Sequence, residues 1–169
     1  MIEKLKETPL SYKSYNLINF IQTNDKEKKL ILKWRNSDDV RQWMVNKSII
    51  TLEEHYNYID SLKDKKDKLC FLVKEEENYL GIVEFDEINA KSAFFGLNAN
   101  SDTKIKGVGR ILESISIYIA KELLGLKKLK LYVFIENKQV INLHKKFAFN
   151  IVSSDLIDKQ EVIYMEKIL

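Results

Sequence analysis

The spacing of apolar positions changes along the chain, and each change predicts a different kind of element. Ser14 to Ile21 reads as a first strand. Asn24-x-x-Glu27 then has the form of a capping box, so a helix should follow through Leu30, Ile31 and Leu32 to about Arg35. A second box, Thr51-x-x-Glu54, should start a helix through Tyr56, Ile59 and Leu62. These are the only long helical stretches expected in the first half.

In the middle, short apolar runs and polar turns predict strands. Leu69 to Val73 is a compact apolar run, Glu75 to Asn78 is a polar turn, and Tyr79 to Phe85 and Ser92 to Ala99 follow as two more strands. An antiparallel meander is the simplest arrangement of the three. After a polar loop, Asn100 to Lys106, and the stretch Gly107-Val108-Gly109, the spacing turns helical from Arg110 through Ile111, Leu112, Ile115, Ile119 and Leu123. Gly125 suits the end of that helix. Leu129 to Phe134 alternates as a strand, a helix should run from about Lys138 to Phe147, and strands should lie near Phe149 to Val152 and Val162 to Met165. The order predicts an α+β fold, a mixed sheet with helices on both faces, in a single domain spanning residues 1–169.

Composition narrows the function classes. At 169 residues the chain can bury a sizeable core and is short for two domains. One cysteine, Cys70, excludes an internal disulfide, and with two histidines, His55 and His144, it offers no metal-ligand cluster. The first residues, Met1 to Glu7, alternate charged and apolar side chains, which predicts neither a signal peptide nor a membrane span and places the protein in the cytoplasm. A net charge of +3, from 28 Lys+Arg against 25 Asp+Glu, is too small an excess to argue for nucleic acid. The lysine runs at Lys63 to Lys68 and Lys127-Lys128 read as solvated surface. The modest positive balance still suits an anionic small molecule.

The strand–loop–helix junction at Gly107 and Gly109 is where such an anion would bind. The first turn of a helix leaves N–H groups unpaired and carries partial positive charge. Glycine lets the backbone approach phosphate oxygens, and Lys104, Lys106 and Arg110 add charge around it. By itself Gly-x-Gly describes a tight turn equally well. Leu112 breaks the dinucleotide pattern G-x-G-x-x-G, and no Gly-Lys-Ser/Thr occurs, so two common nucleotide folds lose ground.

Here the chain resembles the GNAT family of N-acetyltransferases. That family's coenzyme-A signature, Arg/Gln-x-x-Gly-x-Gly/Ala, is matched by Lys104-x-x-Gly107-x-Gly109 five residues after Ala99, with Lys in place of Arg/Gln. The strand before it, Leu97 to Ser101, has Ser101 where the family has Pro. The family's next block is matched by Leu131-x-Val133-x-x-x-Asn137 and Val140-Ile141-x-Leu143-His144-x-Lys146-x-Ala148-Phe149. Leu32 to Asn36, Val40 to Met44, Thr51-x-Glu53-Glu54-His55 and Tyr79 to Ile82 are similar to the aminosugar N-acetyltransferases of bacterial pseudaminic acid synthesis. The similarity runs from about Leu30 to about Ser154.

The resemblance implies a GNAT fold, whose central mixed sheet is mostly antiparallel, and acetyl-CoA as cosubstrate with no metal. It implies a nucleotide-sugar acceptor, UDP-4-amino-4,6-dideoxy-N-acetyl-β-L-altrosamine, used to modify flagellin or surface glycans. It implies no nucleic-acid or membrane partner and allows a homodimer. A sibling acting in legionaminic acid or bacillosamine synthesis, a peptide or ribosomal-protein Nα-acetyltransferase, and a coenzyme-A-binding domain without catalysis remain open at this point.

Amine acetylation needs a neutral amine near the thioester carbon, a donor to the developing oxyanion and a proton for the leaving thiolate. The resemblance assigns the oxyanion donor to backbone N–H groups at Leu97 and Ala99, and coenzyme contacts to Lys104, Lys106, Gly107, Val108, Gly109, Arg110 and Asn137. His144 stands where the family usually has the tyrosine that protonates the thiolate; imidazolium, with an ordinary pKa of about 6.5, is a stronger acid than phenol. The alternative for His144 is a helical residue without chemistry. Glu84 shares a strand face with Ile82 and Asp86, and is either the base for the ammonium or a solvent-facing acid. Arg35 and His55 match positions that bind the nucleotide, Arg35 by pairing with diphosphate. Trp43 and Met44 would form an apolar wall for the C6 methyl. The alternatives are a salt-bridged arginine and a core Trp–Met pair.

Overall fold

Eight strands form one sheet in the computed structural model, which describes residues 1–169. They are β1 (Leu10–Tyr12), β2 (Tyr15–Asn19), β3 (Leu69–Glu75), β4 (Asn78–Asp86), β5 (Ser92–Ala99), β6 (Lys128–Phe134), β7 (Asn150–Ile157) and β8 (Gln160–Ile168). Their spatial order is β1-β2-β3-β4-β5-β6-β8-β7. Every pairing is antiparallel except β5 with β6. The expected mixed, mostly antiparallel sheet is therefore what forms. β3 lies well inside it, and its apolar run Leu69 to Val73 is buried on both faces.

Both capping boxes close as the sequence predicts. Asn24 Oδ1 accepts the Glu27 N–H at 2.9 Å and Glu27 returns to the Asn24 N–H at 3.0 Å, opening α2 (Asp25–Asn36). Thr51 and Glu54 do the same for α4 (Leu52–Ser61). Each cap stabilises its helix by about 1 kcal/mol. Between them lie a four-residue helix, α3 (Asp38–Arg41), and an irregular segment over residues 42–50.

Two apolar layers sandwich the sheet. Ile31, Trp34, Ile59 and Leu62 of α2 and α4 and the residue after them pack on Cys70, Leu72 and Ile82. On the opposite face α5 (Val108–Tyr118) and α6 (Lys138–Lys146) bury Leu112, Ile115 and Ile141 against Phe71, Val83, Phe85 and Phe95. α5 runs on into a wider π turn, Ile119–Leu123, and ends at Gly125 as expected.

Some elements differ from the sequence reading. The first strand is shorter than expected, because Asn19 caps a 3-10 turn at Phe20–Gln22 by accepting the Ile21 N–H at 3.1 Å. An amino-terminal helix, α1 (Ile2–Glu7), and β1 had no predicted counterpart. α1 is held by Leu5 in the core and by Lys6, whose buried ammonium donates to the carbonyls of Lys63 (3.0 Å) and Lys65 (2.5 Å). β7 and β8 are longer than the apolar segments that announced them.

Candidate active site

β5 and β6 pair over three residues only, Ser92 to Phe94 against Lys128 to Lys130. β5 continues to Ala99 and β6 to Phe134, so beyond Phe94 the two strands part and a gap opens in the sheet. On its other side β5 stays paired with β4 through Gly81 and Ala99 in unbroken register. The Asn100 N–H donates to the Leu80 carbonyl at 2.7 Å. Antiparallel pairs alternate, so the N–H groups of Leu97 and Ala99 turn away from β4 and into the gap. The two backbone donors expected for an oxyanion thus face the one open seam of the sheet.

The loop after β5 leads from this gap to the α5 N-terminus. Asn100 fixes its start: Nδ2 donates to the Tyr79 carbonyl at 2.8 Å and Oδ1 accepts the Asp102 N–H at 2.9 Å. Lys33 of α2 holds Asp102 at 3.2 Å. Gly107 precedes the helix with φ +74 and ψ +22, in the left-handed region that favours glycine. A Cβ there would meet nothing within 4 Å, so the space over the first turn is free for a large anion. Val108 is buried beneath, while Lys104, Lys106 and Arg110 are exposed and make no ion pair within the chain. This cradle fits a pyrophosphate. Gly109 also lies against α6. A Cβ on it would lie 3.2 Å from Leu143 Cδ2, so its smallness serves the packing of α5 on α6. A cleft of about 390 Å³ lies between α2 and the loop, lined in part by Trp34, Tyr79 and Lys104; neither Glu84 nor His144 borders it.

α6 opens on Asn137, a nearly buried residue whose Oδ1 caps the helix by accepting the Val140 N–H at 3.4 Å. Two turns later the helix places His144 at 5% exposure between the rings of Phe95 and Phe149, with centroids 5.7 and 5.5 Å away. Its Nδ1 lies 3.0 Å from both oxygens of Glu113, an acid of α5 with no exposed surface. His144 Nε2 has no partner in the protein, yet it is not sealed from solvent.

Glu84 lies on the opposite sheet face. It is half-buried beside Cys70, whose Sγ is 3.8 Å from Oε2, and Tyr58 reaches the same sulfur at 3.6 Å. Gly96 is its neighbour on β5 and leaves open space above it. Burial lifts the Glu84 carboxyl above the usual carboxylate range, against the pull of Lys68, the Cys70 thiol and Arg35, and with the help of Asp86. Asp86 is held by Lys68 at 2.8 Å. The solvent-facing reading of Glu84 is excluded by these surroundings.

Arg35 makes no salt bridge either. Its Nη2 donates to the Asn46 carbonyl at 2.7 Å, and its Nη1 is buried without a partner. Trp43 and Met44 are half-buried in the irregular segment and belong to neither apolar layer, so the core alternative fails for both. That segment reaches across to the far side of the gap, where Lys47 donates to Gln160 at 2.6 Å and sits over the Phe134 ring. His55 is tied into the fold by one of its two ring nitrogens. It is buried, its Nε2 meets the Lys28 carbonyl at 2.8 Å, and burial lowers its pKa. Through Nε2 it clamps α4 to α2, which leaves Nδ1 as the ring nitrogen without a partner in the protein.

Four residues of this region were not singled out from the sequence: Glu113, Tyr58, Lys68 and Gly81. Glu113 left a signal, since it stands among Val108, Leu112 and Ile115, the apolar positions that α5 buries. Tyr58 and Lys68 left none, because each reaches its partner across two elements.

Comparison with known proteins agrees with this geometry. Residues 30–149 match the model of the Acetyltransferase (GNAT) family. A curated relative, Acetyltransferase PseH of Campylobacter jejuni, is 40% identical over 139 residues, covering 82% of this chain and 87% of its own. The crystal structure of Campylobacter jejuni N-acetyltransferase PseH in complex with acetyl coenzyme A superposes with a TM-score of 0.75 at 32% identity, covering 91% of this chain and 98% of that one. A spermidine N-acetyltransferase from Vibrio cholerae, solved with CoA and spermine, gives a TM-score of 0.82 at 20% identity over 93% of this chain and 96% of its own. At that identity it shows the fold alone.

Proposed function

The chain belongs to the GNAT acetyltransferase family, and we propose that it transfers the acetyl group of acetyl-CoA to the 4-amino group of a UDP-linked 4-amino-4,6-dideoxy-N-acetylhexosamine, the altrosamine of pseudaminic acid synthesis. The observation that carries the acceptor class is Arg35: a buried guanidinium N–H without a partner, on the same sheet face as a carboxyl lifted by burial. A diphosphate satisfies the first and an amine the second. Trp43 and Met44, half-buried in the segment that Lys47 ties to Gln160, supply apolar surface for a deoxygenated C6.

The two reactants reach the gap from opposite faces. Acetyl-CoA supplies an activated acyl group and a thiolate leaving group. The α5 N-terminus, Gly107 and the three free cations hold its pyrophosphate, and Asn137 borders its path. Glu84 takes the proton of the incoming ammonium on the acceptor face. The Leu97 and Ala99 N–H groups hold charge on the carbonyl oxygen as the C–N bond forms. His144 Nε2, on the coenzyme face, protonates sulfur as the C–S bond breaks. Base and acid are thereby kept on separate sides of the sheet, where neither neutralises the other.

The acceptor is tested by measuring transfer to UDP-4-amino sugars of altro and gluco configuration, peptide N-termini and a polyamine. The altro sugar should exceed the peptides and the polyamine by at least about 100-fold in kcat/KM, since a buried Arg35 donor left unfilled penalises acceptors without a diphosphate. A peptide or polyamine as best substrate refutes the reading, and preference for the gluco sugar moves it to a sibling pathway.

Glu84 makes a second prediction, on pH. A base acts only when ionised, and its raised pKa moves protonation to higher pH. The acid limb of kcat/KM should therefore lie above the ordinary carboxylate value of about 4.3. Glu84→Gln should lower kcat/KM by about 100-fold or more and remove that limb. A retained limb in the variant assigns the base elsewhere.

A further inference from the structure

Glu113 has no place in the chemistry derived so far, and its position is costly. A carboxyl with no exposed surface, on the buried face of a helix, needs a partner or it destabilises the fold. Its one hydrogen-bonding partner is His144 Nδ1, at 3.0 Å. The imidazole plane is fixed by Phe95 edge-on and by Phe149. The nitrogen left over, Nε2, is the one with a route to solvent.

We propose that Glu113 is a positioning residue for His144, one that fixes the tautomer and so decides which nitrogen exchanges a proton with the coenzyme sulfur. The inference rests on His144 being the general acid. An ionised carboxylate only accepts hydrogen bonds, so Nδ1 keeps its hydrogen throughout. In the imidazolium both nitrogens carry hydrogen, and only the Nε2 hydrogen points out of the protein. When the C–S bond breaks, its electron pair stays on sulfur and the Nε2 proton moves to it, forming the thiol. The ring is left neutral with hydrogen on Nδ1, the form that Glu113 holds, and Nε2 recovers a proton from water. A phenol has one hydroxyl and no tautomer to fix. Histidine at this position acquires that need, and a buried acid one helix away meets it.

The protein has two histidines, so ¹⁵N-histidine labelling gives two ring systems, told apart with a His55→Gln variant. In the neutral ring of His144 the one-bond and two-bond ¹⁵N–¹H couplings should report hydrogen on Nδ1. Glu113→Gln, which can present its amide N–H to that nitrogen, should shift the population toward hydrogen on Nε2. The same change should lower kcat by about 100-fold with the KM for acetyl-CoA within about threefold, as expected for a lost proton donor rather than lost binding. Hydrogen on Nε2 in the unmodified protein overturns the proposal, and so does wild-type kcat in folded Glu113→Gln. If the variant does not fold, the tautomer of the unmodified protein decides alone. Full activity in His144→Gln removes the general acid itself, whereas loss there with full activity in Glu113→Gln removes only the role of Glu113.

Discussion

His144→Ala should slow acetyl transfer by about 10²- to 10⁴-fold in kcat while acetyl-CoA still binds at the α5 cradle. The cradle and the acid are on different elements: Gly107 and the loop cations belong to the β5–α5 junction, and His144 sits in the last turn of α6. Losing the imidazole should therefore leave calorimetric affinity for acetyl-CoA within about threefold. It also leaves Glu113 buried and unpaired, which destabilises by about 3–5 kcal/mol. Rates must be expressed per mole of protein that binds acetyl-CoA, so that unfolding is not counted as lost catalysis. His144→Tyr separates the two effects further. It restores the family's usual acid but puts a ring carbon, which donates no hydrogen bond, where Nδ1 meets the Glu113 oxygens. It should gain little rate and remain destabilised. A tyrosine variant with wild-type rate and stability would show that the histidine and its partner are interchangeable with the family's arrangement. A His144→Ala protein with undiminished kcat would remove His144 from the chemistry.

What the sequence made legible is local. The two capping boxes were read to the residue because each is completed within four positions. The end of α5 at Gly125 and the strand face of Glu84 follow from short-range spacing as well. The losses are all long-range. Lys6 gave no sign of a buried helix, since its partners are nearly 60 residues away. Motif register gave His55 a substrate role, but register carries no hydrogen bonds, and the bond from its Nε2 to the Lys28 carbonyl could not be read from it. The Gly-x-Gly pair does not show that its two members differ in surroundings: a Cβ on Gly107 would meet open space, and one on Gly109 would meet Leu143. The gap itself is invisible in sequence. It depends on β5 and β6 parting after three pairs, and nothing in either strand's alternation marks where pairing stops.

Gly81→Ala should produce the largest loss of stability of any single methyl addition considered for this protein, with a parallel loss of activity. Gly81 lies on β4 opposite Ala99 with φ +153, a backbone that side chains rarely adopt. A Cβ there would fall 2.2 Å from the Asn98 carbonyl oxygen, and 3.0 Å from both Ala99 Cα and Leu112 Cδ1. Leu112 can turn, but the other two atoms are backbone of β5, so the strands must separate. The expected cost is about 3 kcal/mol or more, combining overpacking with backbone strain. For a chain of this size that lowers Tm by about 6–12 °C. The displaced segment carries the Leu97 and Ala99 N–H groups, and a shift of about 1 Å at such donors costs about 100-fold in rate. Folded Gly81→Ala should therefore lose kcat/KM for both substrates. Gly96→Ala is the matched control. It adds the same methyl to the same strand pair, but that carbon would lie an ordinary 3.9 Å from Glu84 Cγ, so Tm should stay within about 2 °C. Equal behaviour of the two variants would mean that the close approach of β4 to β5 does not set the geometry of the gap. A loss of stability confined to Gly81→Ala, with kcat/KM falling for both substrates, would tie the oxyanion donors to a glycine on the neighbouring strand.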